Sequence, residues 1–123
     1  MNYGKIKRTP LRTNYKRGDV VIVNFGFSEG TGAKKRPSLI ISDGNYNKRR
    51  QEVIVLAITS NTERILFGDT KPVQWKEASL LYPSVITGIV RTIKKSMIYR
   101  RIGALTQKDF QQVEKNLKKI LGF

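Results

Sequence analysis

The chain has 123 residues, the length of one ordinary domain, which is enough to bury a hydrophobic core without disulfides or metals. It contains no cysteine and no histidine, which excludes disulfide bonds, thiolate metal sites and catalysis by a histidine base. The 24 Lys and Arg residues against nine Asp and Glu residues give a net charge of +15, which indicates an anionic partner: nucleic acid first, with an acidic protein or a membrane surface as alternatives.

The first segment, residues 1–16, is basic and has no acidic residue and little apolar material. This composition predicts a flexible N-terminal arm before a single domain of residues 17–123. The arm is either a solvated tail or an extension that binds phosphates without sequence preference. It lacks the apolar stretch of a secretory signal, so we expect an unexported, cytoplasmic protein.

From Asp19 onward, short β-branched runs alternate with Gly, Pro, Asn and Ser clusters, a pattern typical of an all-β barrel or sandwich. The pattern predicts strands at residues 20–25, 37–42 and 52–59, followed by strands near 71–74, 84–91 and 96–102. Residues 52–59 are apolar on both faces, so we expect that strand to be buried on both sides. The longest apolar runs are far too short to span a bilayer, so we expect no segment to cross a membrane. No amphipathic basic helix dominates the sequence, so we do not expect a membrane as the partner.

The last segment changes to a helical period. Thr106 followed by Asp109 resembles a capping box, and Gly122 is a typical helix stop. Between Asp109 and Gly122, five apolar residues have the spacing of one helix face: Phe110, Val113, Leu117, Ile120 and Leu121. The sequence therefore predicts a C-terminal amphipathic helix packed on the sheet.

The connection at residues 27–36, FSEGTGAKKR, is long and glycine-rich but lacks the spacing of a nucleotide-triphosphate loop. It ends in Lys34, Lys35 and Arg36, directly before a buried strand that would hold Arg36 in place. An anchored arginine offers a fixed fork of donors that matches a phosphate. One preorganised donor of this kind is typically worth about 3–4 kcal/mol in a transition state. The alternative is a surface charge or an ion-pair partner.

The strand at 52–59 ends in Thr59, Ser60 and Asn61, whose side chains can hold a phosphate oxygen or simply form a turn. The carboxylates have no metal-ligand spacing, so we expect neither a divalent ion nor another cofactor. Several aromatic side chains can stack on bases or fill the core: Phe25, Phe27, Tyr46, Trp75 and Tyr82.

Six short motifs occur in order along the chain. They are Arg17-Gly18-Asp19-Val20-Val21, the glycine-rich loop ending in Arg36-Pro37, Thr59-Ser60, Pro83-Ser84-Val85, Arg91-Thr92-Ile93, and Ile102-Gly103-x-Leu105 before the helix. Together they resemble the MazF/PemK family of toxins from arginine 17 to the C-terminus. The resemblance implies a mainly β fold, a small SH3-like β-barrel with a C-terminal α-helix, in a homodimer. It also implies metal-independent cleavage of single-stranded RNA and neutralisation by a cognate antitoxin.

In such toxins the residues at the positions of Arg36 and Thr59 are catalytic, and the RNA 2′-hydroxyl attacks the adjacent phosphate. The resemblance does not identify the general base, for which Glu29 in the glycine-rich loop is a candidate. The residues expected to contact RNA are Phe27, Ser28, Lys34, Lys35, Ser60, Asn61 and Arg91.

The chain departs from the family pattern at several positions. Ile86 and Gly88 stand where some members have an Arg and an acid, Lys94 replaces an acid, and Gly26 replaces a proline. These departures concern the acid/base assignment more than the fold.

Two alternatives are a non-catalytic RNA-binding module of SH3-like fold and a gyrase-inhibiting toxin of the same fold. Substitution of Arg36 distinguishes the first alternative, because a binding module would lose only some affinity for RNA, whereas an enzyme would lose cleavage. The large positive charge argues against a gyrase inhibitor. The antitoxin is expected to present an acidic, partly disordered segment that folds across a positive groove.

Overall fold

The computed structural model describes residues 3–8, 14–25 and 34–123. Five strands and two α-helices occur in these ranges: β1 (Asp19–Asn24), β2 (Lys35–Ile40), α1 (Gly44–Arg49), β3 (Glu52–Thr59), β4 (Val85–Lys94), β5 (Ile98–Ala104) and α2 (Gln107–Leu121). Short 3-10 turns lie at Tyr3–Lys5 and Lys95–Met97. No helix in these ranges is long and apolar enough to cross a membrane.

The strands form one antiparallel sheet in the order β4-β3-β2-β1-β5. The prediction of a mainly β fold with a C-terminal helix is confirmed. Among the described strands, β4 and β5 are the sheet edges and do not pair with each other, so the small barrel-like sheet is not closed.

Two apolar clusters lie on the two faces of the sheet, because successive side chains of a strand point to opposite faces. Val20 and Ile22 of β1 belong to the cluster that includes Val113 of α2, whereas Val21 and Val23 belong to the other cluster. All four side chains are fully buried. Strand β1 is thus buried on both faces from Val20 to Val23. Burial on both faces was expected of β3, but its residues Ile54 and Ala57 are only half-buried.

Helix α2 begins and ends as its sequence predicts. The Thr106 side chain accepts a hydrogen bond from the Asp109 backbone N–H at 3.3 Å, and Gly122 ends the helix in the left-handed conformation. The Asp109 carboxylate, however, has a tertiary role. It accepts hydrogen bonds from the backbone N–H groups of Val73 at 3.0 Å and Gln74 at 2.8 Å.

The predicted strand at 71–74 was wrong. These residues form an irregular segment, with only an isolated bridge between Thr70 and Ile86 beside it. Pro72 has no N–H to give to a strand ladder, and Asp109 takes the N–H groups of the two residues that follow it.

Helix α1 was not predicted. Asp43 caps it by accepting a hydrogen bond from the Asn45 backbone N–H at 2.9 Å, an ordinary helix-start signal. The side-chain amide of the buried Asn47 donates to the Tyr15 and Ser42 carbonyl oxygens, both at 3.1 Å. The helix therefore ties the segment before β1 to the β2–β3 connection, and β2 ends at Ile40 rather than at residue 42.

The described parts of residues 1–16 contact the rest of the molecule. Tyr3 is 1% exposed, and its hydroxyl oxygen accepts a hydrogen bond from the Leu81 backbone N–H at 2.9 Å. Burial raises the pKa of the Tyr3 phenol, which keeps it neutral at this position. Residues 1–2 and 9–13 lie outside the described ranges, and the boundary between an arm and a domain at residue 17 stays a prediction.

Replacing Asp109 with alanine removes the acceptor of two backbone N–H groups at a site that is 6% exposed. We expect the free energy of unfolding to fall by about 3 kcal/mol, because buried donors left without partners are costly. Urea denaturation followed by circular dichroism measures this change.

The matched control is Glu114→Ala on the same helix, which breaks an exposed ion pair with Arg17. That loss should stay under about 1 kcal/mol. Equal losses for the two variants would show that Asp109 does not hold the segment around residue 73.

Candidate functional site

The pairing of β2 with β3 brings the two predicted catalytic residues to one end of the sheet. Ser38 lies opposite Ala57, Leu39 opposite Leu56 and Ile40 opposite Val55. Continued by two residues, this register places Arg36 opposite Thr59, with both side chains on one face because the face alternates at every residue. This face carries Ile40 and Val55, members of the cluster that does not include Val113 of α2.

A cavity of about 300 Å³ lies on this face beside Arg36. Its lining comes from the ends of β1 and β2 and from β3 and β4: Phe25, Lys34, Arg36, Pro37, Ser38, Ala57, Ile58 and Arg91. The three cationic side chains in this set are exposed, whereas most of the other lining residues are buried. The cavity thus has a positive rim and a largely apolar interior, and Thr59 follows immediately after its lining residue Ile58.

No carboxylate of the described residues lines this cavity. The ion pairs that the structure describes lie elsewhere and join Asp19 with Arg101, Glu52 with Arg50 and Glu114 with Arg17. In the same ranges, no group of three or more carboxylates lies close enough together to hold a metal ion. The electrostatic character of the cavity is therefore set by cations.

Arg91 is held against an aromatic ring. Its guanidinium carbon lies 4.7 Å from the ring centroid of Phe25, which is 9% exposed. This cation–π contact holds the Arg91 guanidinium beside the ring at the cavity. The Phe25 backbone N–H also donates to the Lys34 carbonyl oxygen at 2.8 Å, and this bond closes the base of the β1–β2 connection.

Thr59 is held by the turn that follows it. Its hydroxyl oxygen accepts a hydrogen bond from the Asn61 backbone N–H at 3.1 Å, and the Asn61 side chain accepts one from the Glu63 N–H at 3.2 Å. The turn interpretation of Thr59-Ser60-Asn61 therefore holds. It is compatible with a role in binding, because a hydroxyl that accepts one bond still has a proton to donate.

Ser60 lines a second cavity, of about 390 Å³, together with Thr62, Tyr82 and Pro83. The end of β3 thus serves two neighbouring cavities, with Ile58 in the first and Ser60 in the second. Tyr82 supplies an aromatic side chain to the second cavity, as Phe25 does to the first.

The structure does not bring Lys35 together with Arg36. The Lys35 ammonium group donates to the Gly4 carbonyl oxygen at 3.1 Å and lies 4.3 Å from the ring centroid of Tyr99. Neighbouring residues of a strand point to opposite faces, and Lys35 is directed toward the N-terminal segment. Its assignment to RNA stays a prediction.

Three predicted site residues, Phe27, Ser28 and Glu29, lie outside the described ranges. Among the polar residues that line the first cavity, sequence analysis missed Ser38. Its only sequence signal is a polar side chain within the apolar run after Pro37.

The sequence matches, over residues 16–121, the family described as PemK-like, MazF-like toxin of type II toxin-antitoxin system. No curated protein sequence matches the chain.

Solved structures share the fold at low sequence identity. A MazF in a MazE-MazF crystal structure from Deinococcus radiodurans gives a TM-score of 0.74 at 20% identity, covering 91% of this chain and 99% of that one. An endoribonuclease from a mycobacterial species gives 0.72 at 18% identity, covering 94% and 97%. An endoribonuclease in complex with its cognate antitoxin, also mycobacterial, gives 0.70 at 22% identity, covering 89% and 96%.

The family match covers most of the sequence, and the neighbours share the sheet and the C-terminal helix described above. The chain therefore belongs to the family of PemK-like and MazF-like toxins of type II toxin-antitoxin systems.

Proposed function

We propose that this chain is a metal-independent endoribonuclease that cuts single-stranded RNA at short preferred sequences. The observation that carries the proposal is the β2–β3 register, which directs Arg36 and Thr59 to one face beside a cavity with a cationic rim. Family membership and structural neighbours that are endoribonucleases support it.

In the proposed reaction the ribose 2′-oxygen bonds to the adjacent phosphorus and the bond from phosphorus to the 5′-oxygen breaks. The products are a 2′,3′-cyclic phosphate and a 5′-hydroxyl. The 2′-hydroxyl proton goes to a base, and the departing 5′-oxygen gains a proton. Negative charge increases on the non-bridging oxygens in the transition state, which is where fixed donors contribute most.

Arg36 is the donor best suited to that charge. Its backbone pairs with Val23 of β1, while its side chain is exposed and accessible to an RNA strand. The guanidinium can contact two phosphate oxygens at once, a geometry that lysine cannot supply. Removal of one such donor typically costs a factor of about 100–1,000 in kcat.

Thr59 positions the phosphate. Its hydroxyl oxygen is already bound by the Asn61 N–H, so the hydroxyl proton is directed to a second partner. A phosphate oxygen next to Arg36 is that partner in our proposal. The general base is proposed to be Glu29, from the connection between β1 and β2, since none of the described carboxylates lines the cavity.

RNA binding is assigned to the surroundings of this pair. Lys34 and Arg91 stand at the rim of the first cavity and suit the phosphates on either side of the cleaved bond. Ser60 and Asn61 extend the path toward the second cavity. Phe27 and Ser28 are assigned to bases from the connection between β1 and β2.

The proposed partners follow from the same charge. An antitoxin with an acidic segment would compete with RNA for the cationic rim. One neighbour from Deinococcus radiodurans was solved as MazE-MazF, and one mycobacterial neighbour was solved in complex with its cognate antitoxin. We also propose that the toxin acts as a homodimer in the cytoplasm, where messenger RNA is its substrate.

A second candidate function is RNA binding without cleavage. The absence of a described carboxylate at the first cavity favours it, because a binding module needs cations but no base. The two functions differ in what Arg36 contributes. In a binding module it is one phosphate contact among several, and its loss weakens affinity without abolishing a reaction.

The first test is incubation of the protein with a long single-stranded RNA in excess EDTA. Wild type should give discrete fragments, and Arg36→Ala should cut at least about 100-fold more slowly. Thr59→Ala should also be slow. Gel electrophoresis of the RNA over time measures the rates.

Arg49→Ala is the matched control, because this arginine is exposed in α1, outside both cavity linings. It should cut at nearly the wild-type rate. Intact RNA that all four proteins still bind, with Arg36→Ala binding it only more weakly than wild type, would contradict the endoribonuclease proposal and favour the binding module.

The second test compares the adjacent Lys34 and Lys35. Lys34→Ala should weaken binding of a single-stranded RNA carrying 2′-deoxyribose at the cleavage site, which blocks cleavage. The slope of log affinity against log salt should become shallower by about 0.7 for this one lost phosphate contact.

Lys35→Ala removes the same charge from a side chain committed to Gly4 and Tyr99, so it should change the affinity and the slope much less. Fluorescence anisotropy over a series of salt concentrations measures both values. Equal effects of the two substitutions would mean that the RNA path includes the side of the sheet where Lys35 lies.

A further inference from the structure

Ser38 has a hydroxyl for which the fold supplies no partner. The residue is 0% exposed, and within the described ranges its Oγ is the one buried side-chain polar atom without a hydrogen bond. Burying a hydroxyl without a partner destabilises a protein, and native structures contain few such groups. The cost of leaving the Ser38 hydroxyl unpaired suggests that a bound ligand supplies its hydrogen-bond partner.

The other buried serines show that this fold otherwise satisfies such groups. The Ser42 hydroxyl donates to the Asn47 side-chain oxygen and accepts from the Ile54 backbone N–H at 3.0 Å. The Ser84 hydroxyl donates to the Tyr82 carbonyl oxygen at 2.8 Å. Ser38 is the exception, and it is also the one of these three that lines the cavity beside Arg36.

The position of Ser38 within that cavity is defined by the strand register. It lies two residues after Arg36 on the same face of β2, and directly opposite Ala57 of β3. Ala57 has only a methyl group, so little side-chain volume stands across from Ser38 in this pair. Pro37 and Ile58 add apolar surface around it.

We propose that this cavity takes one nucleobase of the RNA next to the cleaved phosphate, and that the Ser38 hydroxyl hydrogen-bonds to the edge of that base. This inference rests on the proposed function and names what determines its sequence preference. The volume of about 300 Å³ is at the lower end of the range for small-ligand sites, which suits a single base.

The cavity also supplies a stacking surface. The Arg91 guanidinium carbon lies 4.7 Å from the centroid of the Phe25 ring, and the Arg91 side chain is exposed, so a base can approach the guanidinium from the solvent. Proteins that read single-stranded RNA stack unpaired bases on aromatic rings or arginine planes and hydrogen-bond to the base edges. Arg91 and Ser38 would supply these two contacts.

A phosphate fits the position of Ser38 less well than a base. The cations Lys34 and Arg36 are exposed at the rim, whereas Ser38 is buried beside apolar residues. Moving a phosphate charge into that interior would remove it from water and from the cations, at a large cost. A base with polar atoms only on its edge has no such penalty.

The test uses Ser38→Ala and a panel of short single-stranded RNAs that differ in one base near the cleavage site. Wild type should prefer one base at one position, both in cleavage rate and in the affinity for versions with 2′-deoxyribose at the cleaved bond. Ser38→Ala should reduce that preference about tenfold, because an alanine cannot pair with the base edge. Its thermal midpoint should equal or exceed that of wild type, since no bond within the fold is lost.

Ser42→Ala is the control for loss of a buried serine hydroxyl. It removes bonds to Asn47 and Ile54, so its thermal midpoint should fall while its base preference stays that of wild type. The two serines are thus expected to show opposite combinations of stability and selectivity.

An unchanged preference in Ser38→Ala, or a uniform loss of affinity for every RNA in the panel, would overturn the inference. So would a wild type that shows no preference at any position. The affinity panel needs no cleavage, so failure of the proposed endoribonuclease activity is seen separately, as RNA that is bound but stays intact.

Discussion

The hydrogen-bonded register between β2 and β3 is the constraint on which the candidate site depends. A shift by one residue would turn Arg36 and Ser38 to the opposite face, because side chains alternate along a strand. The register is fixed by the core: Leu39 is buried in one apolar cluster and Ile40 in the other, so a shift would exchange the two faces of β2. The packing that stabilises the sheet therefore also pairs Ser38 with Ala57, and the same register continued by two residues aligns Arg36 with Thr59.

The positive potential of the site depends equally on where the acids are. All four aspartates accept hydrogen bonds from backbone N–H groups: Asp19 from Lys16, Asp43 from Asn45, Asp69 from Leu66 and Gly88, and Asp109 from Val73 and Gln74. These carboxylates hold turns and loops in place away from the cavity. The four aspartates thus serve structure, whereas Lys34, Arg36 and Arg91 stand at the rim of the cavity and give it its positive potential.

Local sequence patterns predicted the elements that local forces determine. Residues 52–59 matched β3 in both bounds, and Thr106 and Gly122 marked both ends of α2. The pattern failed at 71–74, where a distant carboxylate, Asp109, decides the conformation. The sequence also did not show that the Ser38 hydroxyl lacks a hydrogen-bond partner, or that Lys35 and Arg36 point to opposite faces of the sheet. Both depend on tertiary packing. The motifs around Arg36 and Thr59 identified the family, which spacing and composition alone did not.

We propose that Arg36 and Thr59 promote attack of a 2′-hydroxyl on the neighbouring phosphate. Mass spectrometry of the RNA ends after digestion in EDTA distinguishes this reaction from others. We expect fragments with a 2′,3′-cyclic phosphate at one end and a 5′-hydroxyl at the other, and an RNA left whole at any site carrying 2′-deoxyribose. Fragments with a 5′-phosphate, or cleavage at the 2′-deoxy site, would contradict it, because both require a nucleophile other than the 2′-hydroxyl.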